Sequence, residues 1–447
     1  MTVFVLLIAT LLLPANLLAR PIELSLGEAL ALADRHDTGL ESARIEVELG
    51  DALVREATSG ALPLLNLNAS TGRFVIAPTS SIPAFGPGKF RFTPVNDLSI
   101  GLSISQPVWL GGRLGLALEA ANIYGRLSRA AMQAAKANLK KQIIQDYFRL
   151  SLAFEVLKIT NAAYAQALSH ALKAKQMFDV GMISEFDLLR AETEAKTMAP
   201  EVSRSLQAIR LAHTNLCHRL GLPGDTELLL LDSLTAIEIS EPAANATDYY
   251  EIALARRPEI ELIGLQKSLH EIGLKVEEKS LFWPNVFFGL GFQTQRQDDH
   301  YANMSPSTWS NSLRWGFSAN IPLFNGFATQ AKIQKARLGL RKTELAEKNL
   351  QNGIRMEFVA NTSELQRAFK SVIGQQEVVK LAEKAYAISQ VRYEQGLGTE
   401  LEVQDVRLTL SRARMGYLQG LYDLRLAEAE YARIIEIDAE LTSGSSK

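Results

Sequence analysis

The sequence predicts a mainly α-helical protein with a transmembrane β part: long coiled-coil helices and four β-strands, built by internal duplication. Three observations carry that expectation. Apolar residues recur every seven positions over long stretches, at Phe358, Leu365, Val372, Val379, Tyr386 and Tyr393, and at Ile143, Leu150, Leu157, Tyr164, Ala171 and Phe178. Four short segments alternate with period two instead. The two halves also repeat each other. Ser105-Gln106-Pro107-Val108-Trp109-Leu110-Gly111 matches Asn320-Ile321-Pro322-Leu323-Phe324-Asn325-Gly326 at an offset of 215 residues, and Phe178-Asp179-Val180-Gly181 matches Tyr393-Glu394-Gln395-Gly396 at the same offset. An unchanged offset means no insertion separates the landmarks, as a rigid duplicated unit requires.

Composition sets the outer bounds. The chain has 447 residues, formal net charge −2, 47% hydrophobic and 21% charged residues. That suffices for a core and excludes a wholly disordered chain. No basic block stands out, which argues against nucleic-acid binding. A single cysteine, Cys217, excludes an intramolecular disulfide framework and a multi-cysteine metal site.

The chain opens on an apolar run, Val3 to Leu13, with a small residue at Ala19. The run is too short for a spanning helix, which needs about 20 residues, and reads as a signal peptide over 1–19. No cysteine follows it, so no lipid anchor is expected. Beyond it, no stretch is apolar enough for a membrane-spanning helix. The first repeat covers 20–221, with a β-hairpin over 64–107 and long helices over 113–220. A linker over 222–247 leads to the second repeat over 248–437, with a hairpin over 285–322 and helices over 327–437; 438–447 form a flexible tail.

In the helices, sustained seven-residue spacing argues for coiled coils. Small residues three positions on (Ala368, Ala382, Ser389; Ala153, Ala167, Ala174) let backbones approach closely. A second series, Val403, Leu410, Tyr417, Leu424 and Tyr431, is answered by Leu188, Ala195, Val202, Ile209 and Leu216. A helix from Arg113 to Phe178 would be ~100 Å long at 1.5 Å per residue. Gly181, Gly396 and Gly398 mark the turns between helices, and Pro200 should kink the first return helix.

The period-two segments read as strands. Leu65, Leu67 and Ala69 alternate with Asn66, Asn68 and Ser70; Leu98 to Ile104 alternate with serine and glycine; Val286, Phe288, Leu290 and Phe292 alternate with Phe287, Gly289, Gly291 and Gln293; and Leu313, Trp315, Phe317, Ala319 and Ile321 alternate with Ser312, Arg314, Gly316, Ser318 and Asn320. Each has one apolar face and one mostly small or polar face, at roughly ten residues, the length of a tilted transmembrane strand. The strands form two hairpins far apart in sequence. Trp109, Trp283, Trp309 and Trp315 all lie in or beside them and suit a bilayer-interface girdle. A soluble β-sandwich with these tryptophans in its core is the other reading.

Four strands cannot close a barrel, since the smallest single-chain barrels have about eight. In lipid every strand edge must be paired. Transmembrane strands would therefore require several chains to share one barrel, with the helices continuing its axis as a ring.

The mature chain, Leu24 to Glu436, resembles the TolC family of outer-membrane efflux proteins. The resemblance rests on Gly181-x-x-Ser184-x-x-Asp187 with Leu188-Leu189-Arg190-Ala191-Glu192, on Gly396-Leu397-Gly398-Thr399-Glu400-Leu401-Glu402-Val403, and on the corners Gln106-Pro107-Val108-Trp109 and Ile321-Pro322-Leu323-Phe324. It implies a homotrimer with a shared twelve-stranded barrel in outer-membrane lipid and a periplasmic helical tunnel. The linker and chain ends would build an equatorial region. It also implies a periplasmic adaptor (membrane fusion) protein and an inner-membrane transporter of RND, ABC or MFS type as partners. At the periplasmic constriction the matching positions are Glu402 and Asp405, with Tyr393 helping to hold the mouth shut; glutamate stands at 402 where the family often has aspartate. Gly181, Ser184, Asp187, Gly396, Gly398 and Thr399 match the tips that contact the adaptor. Asp37-Thr38 stands where the family often has Asn-Pro, whereas Arg257-Pro258 keeps the proline.

No catalytic or cofactor motif appears. The histidines are scattered, and there is neither a His-Glu-x-x-His pair nor a Gly-x-Ser-x-Gly elbow. The expected function is a passive exit duct of a tripartite efflux pump or type I secretion system, without cofactor or resident metal. The alternative is a soluble periplasmic coiled-coil scaffold. The cargo is not legible.

Overall fold

The computed structural model describes residues 21–79, 89, 91, 94–235, 254, 257–281, 283–299, 309–395 and 397–435. The expected signal peptide, the linker beyond residue 235, the tail and Gly396 lie outside the described residues. In chain order the elements are β1 (Ile22–Leu24), α1 (Leu26–His36), α2 (Thr38–Ser59), β2 (Leu64–Arg73), β3 (Asn96–Trp109), α3 (Arg113–Asp179), α4 (Glu185–Arg219), β4 (Leu228–Leu230), α5 (Pro258–Lys279), β5 (Asn285–Asp298), β6 (Trp309–Asn320), α6 (Ala328–Glu394) and α7 (Glu400–Ile435). The chain divides into two compact units, one of residues 1–44, 131–260 and 350–447, the other of 45–130 and 261–349; each draws on both repeats.

The first unit is a helical bundle laid out by the heptads. Phe358, Leu365 and Val372 on α6 are buried, as are Ile143 and Leu150 on α3, and the small positions Ala167, Ala174, Ala368 and Ala382 are buried beside them. Burying each large apolar side chain contributes about 1.5–3 kcal/mol. Small residues do the spacing: a Cβ added at Gly420 would stand 3.3 Å from Val372 Cγ2, so α7 lies close on α6 there. The ridge fails at its last position, where Phe178 is exposed in the final turn before Gly181. α4 runs unbroken through Pro200.

The start of the chain locks onto this bundle. β1 pairs in parallel with β4, joining the N-terminal segment to the linker. Buried Tyr147 of α3 donates its hydroxyl to the Leu24 carbonyl at 2.9 Å and accepts from the Asp232 amide at 3.2 Å. Asp37, at the family's Asn-Pro position, ends α1 and accepts the Leu40 amide at 2.8 Å, so it supplies the cap that starts α2. Ionic ties bind the far helices. Arg433 of α7 pairs with Glu357 of α6, Arg257 reaches the same carboxylate at 2.6 Å, and Lys141 of α3 reaches Glu430 of α7 at 2.6 Å.

In the second unit the two hairpins join. The sheet order is β2-β3-β5-β6, entirely antiparallel, so β3 and β5 close the gap between segments nearly two hundred residues apart. β3 and β5 are longer than the alternation suggested, 14 residues each, and β5 runs on to Asp298, past the last alternating residue Phe292. Pairing continues past the alternating stretch because ladder hydrogen bonds need only backbone groups. The corners after the strands need left-handed backbone, at Gly111 (φ 65°) and Gly326 (φ 65°). At Gly111 a Cβ would stand 2.5 Å from Trp283 Cβ, so the residue is fixed by close packing as well.

Candidate functional site

Two helical turns present the sequence-expected tips. α3 ends in a Schellman arrangement with Gly181 at φ 74°: the Gly181 amide donates to Phe178 O and the Met182 amide to Met177 O, both at 2.8 Å. Ser184 then caps α4, accepting the Asp187 amide at 3.2 Å while its hydroxyl donates to the Asp187 carboxylate at 2.6 Å. In the second repeat the Leu397 amide donates to Arg392 O at 2.8 Å, and Thr399 Oγ1 accepts the Glu402 amide at 3.3 Å. Gly398 sits where a Cβ would meet Glu402 Oε2 at 3.2 Å. Val180, Met182, Phe186 and Leu397 point these tips outward as exposed apolar residues.

Glu402 and Asp405 are exposed, three residues apart near the N-terminus of α7, where the positive end of the helix dipole favours carboxylates. Tyr393 is half buried, and its backbone and the Glu402 carboxylate both border Gly398, where an added Cβ would meet Tyr393 N at 3.4 Å and Glu402 Oε2 at 3.2 Å. Burial, and the Glu400 carboxylate that it hydrogen-bonds, push its phenol pKa up, with the Asp187 charge adding to the shift.

Glu400 is the centre of a polar knot that sequence reading missed. Its Oε2 lies 2.7 Å from His170 Nε2 of α3, and its Oε1 accepts from Gln404 Nε2 at 3.0 Å. Two turns into α7, buried Arg407 pairs with Glu194 of α4. Thus α7 is tied at its start to α6, α3 and α4 together. The sequence signal for Glu400 was its place in the tip motif, whereas His170 and Glu194 carry none, because their partners are more than 200 residues away.

The tryptophans divide. Trp109 and Trp283 meet edge-on at 6.0 Å at the helix-proximal end of the sheet. Trp309 pairs with Arg296 at the loop end. Trp315 pairs with Leu290 at mid-strand, between those two levels. The helix-proximal end also carries exposed Leu323, Phe324 and Phe327. Among the described residues no helix is long and apolar enough to cross a membrane, and no three His, Cys, Asp or Glu side chains are placed to hold a metal.

The sequence profile of the outer membrane efflux proteins matches residues 29–221 and 250–435. The chain belongs to that family. Among relatives, the cobalt-zinc-cadmium resistance protein CzcC of Cupriavidus metallidurans is 24% identical over 341 residues, covering 74% of this chain and 75% of CzcC. The cation efflux system protein CusC of Escherichia coli is 24% identical over 343 residues, covering 74% and 70%. The fold agrees with a solved structure of CusC, at TM-score 0.75 and 18% identity over 95% of both chains. It also agrees with VceC of Vibrio cholerae, at TM-score 0.74 and 16% identity over 92% of this chain and 95% of that one. As an outer membrane efflux protein, the chain is a channel of the outer membrane whose helical tunnel lies in the periplasm. The family is one of channels rather than enzymes, and its members work with periplasmic adaptors and inner-membrane transporters. The soluble-scaffold alternative is thereby set aside.

Proposed function

We propose that three copies of this chain close one twelve-stranded barrel and form a passive exit duct, opened at its periplasmic end by adaptor contacts. One observation carries the reading: a four-stranded sheet with two open edges and an exposed apolar face. Leu65, Leu67, Leu313, Trp315 and Phe317 stand exposed on that face, where lipid would cover them. Open edges are not tolerated in lipid. Because four alternating strands leave β2 and β6 running in opposite directions, β6 of one copy can take β2 of the next as an antiparallel neighbour, and the pattern closes on itself without a break. Closure by three copies follows the family resemblance.

In that assembly Glu402 and Asp405 from three chains ring the axis, and such crowding of carboxylates attracts cations. Tyr393 and Glu400 hold the mouth closed. The tips at Gly181, Ser184 and Asp187 and at Gly396, Gly398 and Thr399 receive the adaptor, and an inner-membrane transporter supplies the energy. The duct does no chemistry. Mass measurement of the detergent-extracted protein tests the reading: the expected result is a stable trimer in detergent, and a water-soluble single copy with no affinity for detergent overturns it.

A further inference from the structure

The two faces of the sheet differ in more than polarity. One cross-strand row reads Leu67, Leu102, Phe292 and Leu313, entirely apolar; the adjacent row on the opposite face reads Asn66, Ser103, Gly291 and Arg314. The rows flanking Arg314 on its own face hold Asn68, Gly101, Gln293 and Ser312 on one side and Leu64, Ser105, Gly289 and Gly316 on the other, none of them charged. Arg314 is exposed, and among the described residues it has no ion-pair partner. The four strands contain two acids, Asp97 and Asp298, both at the loop end. Asp97 accepts from Gln295 at 2.6 Å, and Asp298 pairs with Arg296. β2 contains no acid, so the neighbour that closure would bring beside β6 cannot neutralise Arg314 either.

We propose that Arg314 is the charge-selecting residue of the barrel segment, a fixed cation at mid-strand on a lumen face whose one strand carboxylate among the described residues, Asp97, stands at the loop end and is bonded to Gln295 and Gln297, so that small anionic solutes are favoured over cations at the level of Arg314. This rests on the barrel reading above. A ring of like charges sets ion selectivity, and low-dielectric walls focus its field along the axis. The glycines and serines around Arg314 leave the guanidinium uncovered and supply no counter-charge. The duct then carries two filters of opposite sign in series: arginine in the membrane and carboxylates at the mouth.

Reversal potentials of single channels under a KCl gradient, in planar bilayers, test the proposal. They are measured in a Glu402→Gln/Asp405→Asn background that silences the mouth. With Arg314 present the channel should prefer chloride. Arg314→Lys should keep that preference, Arg314→Gln should lose it several-fold, and Arg314→Glu should prefer potassium. Should Arg314→Gln not insert, Arg314→Cys treated with a cationic thiol reagent should prefer chloride, and with an anionic one potassium. Channels that form with reversal potentials indifferent to the charge at 314 overturn the assignment. Failure of every protein, the unmutated chain included, to form channels overturns the barrel reading instead.

Discussion

Replacing Arg407 by alanine should unlatch the start of α7 from α4. The Arg407 side chain is 10% exposed and that of Glu194 24%, so solvent screens the pair little. A hydrogen bond to a charged group contributes about 1.5–3 kcal/mol. Glu194 keeps some water, which places the pair near ~2 kcal/mol, or ~30-fold in an equilibrium at 1.4 kcal/mol per decade. If the tie exists only in the closed mouth, Arg407→Ala shifts the closed-to-open ratio by that factor. Arg414 and Glu383 provide the control, since they pair at 2.8 Å but are 45% and 48% exposed and join α6 to α7 within one hairpin. An exposed pair contributes at most about 1 kcal/mol, so Arg414→Ala should barely move the ratio. Open-state occupancy of single channels reads the shift. The double variant Arg407→Ala/Glu194→Ala should open the channel less than the two single effects combined, because it leaves no buried charge unpaired. Strictly additive effects, or an Arg407→Ala channel as closed as the parent, would refute the reasoning.

Three further outcomes concern stability. Burial pushes the Glu430 carboxyl up, but bonds from Arg433 and Lys141 outweigh it and hold its pKa below the usual 4.5. A lowered folded value gives stability that is present above the unfolded value and lost as pH falls through the folded one. Acid unfolding should therefore be less steep in Glu430→Gln, and an unchanged acid limb would contradict the pairing. At the strand-to-helix corners, Gly326→Ala meets nothing within 4 Å and should cost only the left-handed backbone penalty of about 1–2 kcal/mol, whereas Gly111→Ala must also displace Trp283. Thermal midpoints of the detergent-extracted protein should rank them in that order, and equal losses would show that Trp283 moves freely. Tyr147→Phe strips the buried Leu24 carbonyl and Asp232 amide of their hydroxyl partner and should cost about 1–3 kcal/mol in the same melt; no loss would mean that water replaces the hydroxyl.

What the sequence made legible and what it hid follow from range. The burial of Phe358, Leu365 and Val372 was readable because a seven-residue period is a local property of one helix, and the two tips were readable because caps act over three or four residues. The pairing of β3 with β5, the His170–Glu400 contact and the neutral surroundings of Arg314 were not readable, because each joins residues far apart along the chain and leaves no mark on either segment alone. The duplication shows where local preference gives way. Gly112 and Phe327 occupy matching positions 215 residues apart, and both hold left-handed backbone, at φ 77° and 65°. Glycine adopts that region freely, whereas phenylalanine does so at about 1–2 kcal/mol. The second corner holds the same conformation without the residue that favours it, so the strand-to-helix junction itself imposes the turn. An edge contact between Phe327 and Phe324 at 5.5 Å offsets part of the strain. A strained residue persists where its surroundings over-determine it. Here those surroundings are the junction and its aromatic neighbour Phe324, and both corners expose aromatic rings, Phe324 and Phe327 at this one and Trp109 and Trp283 at the other.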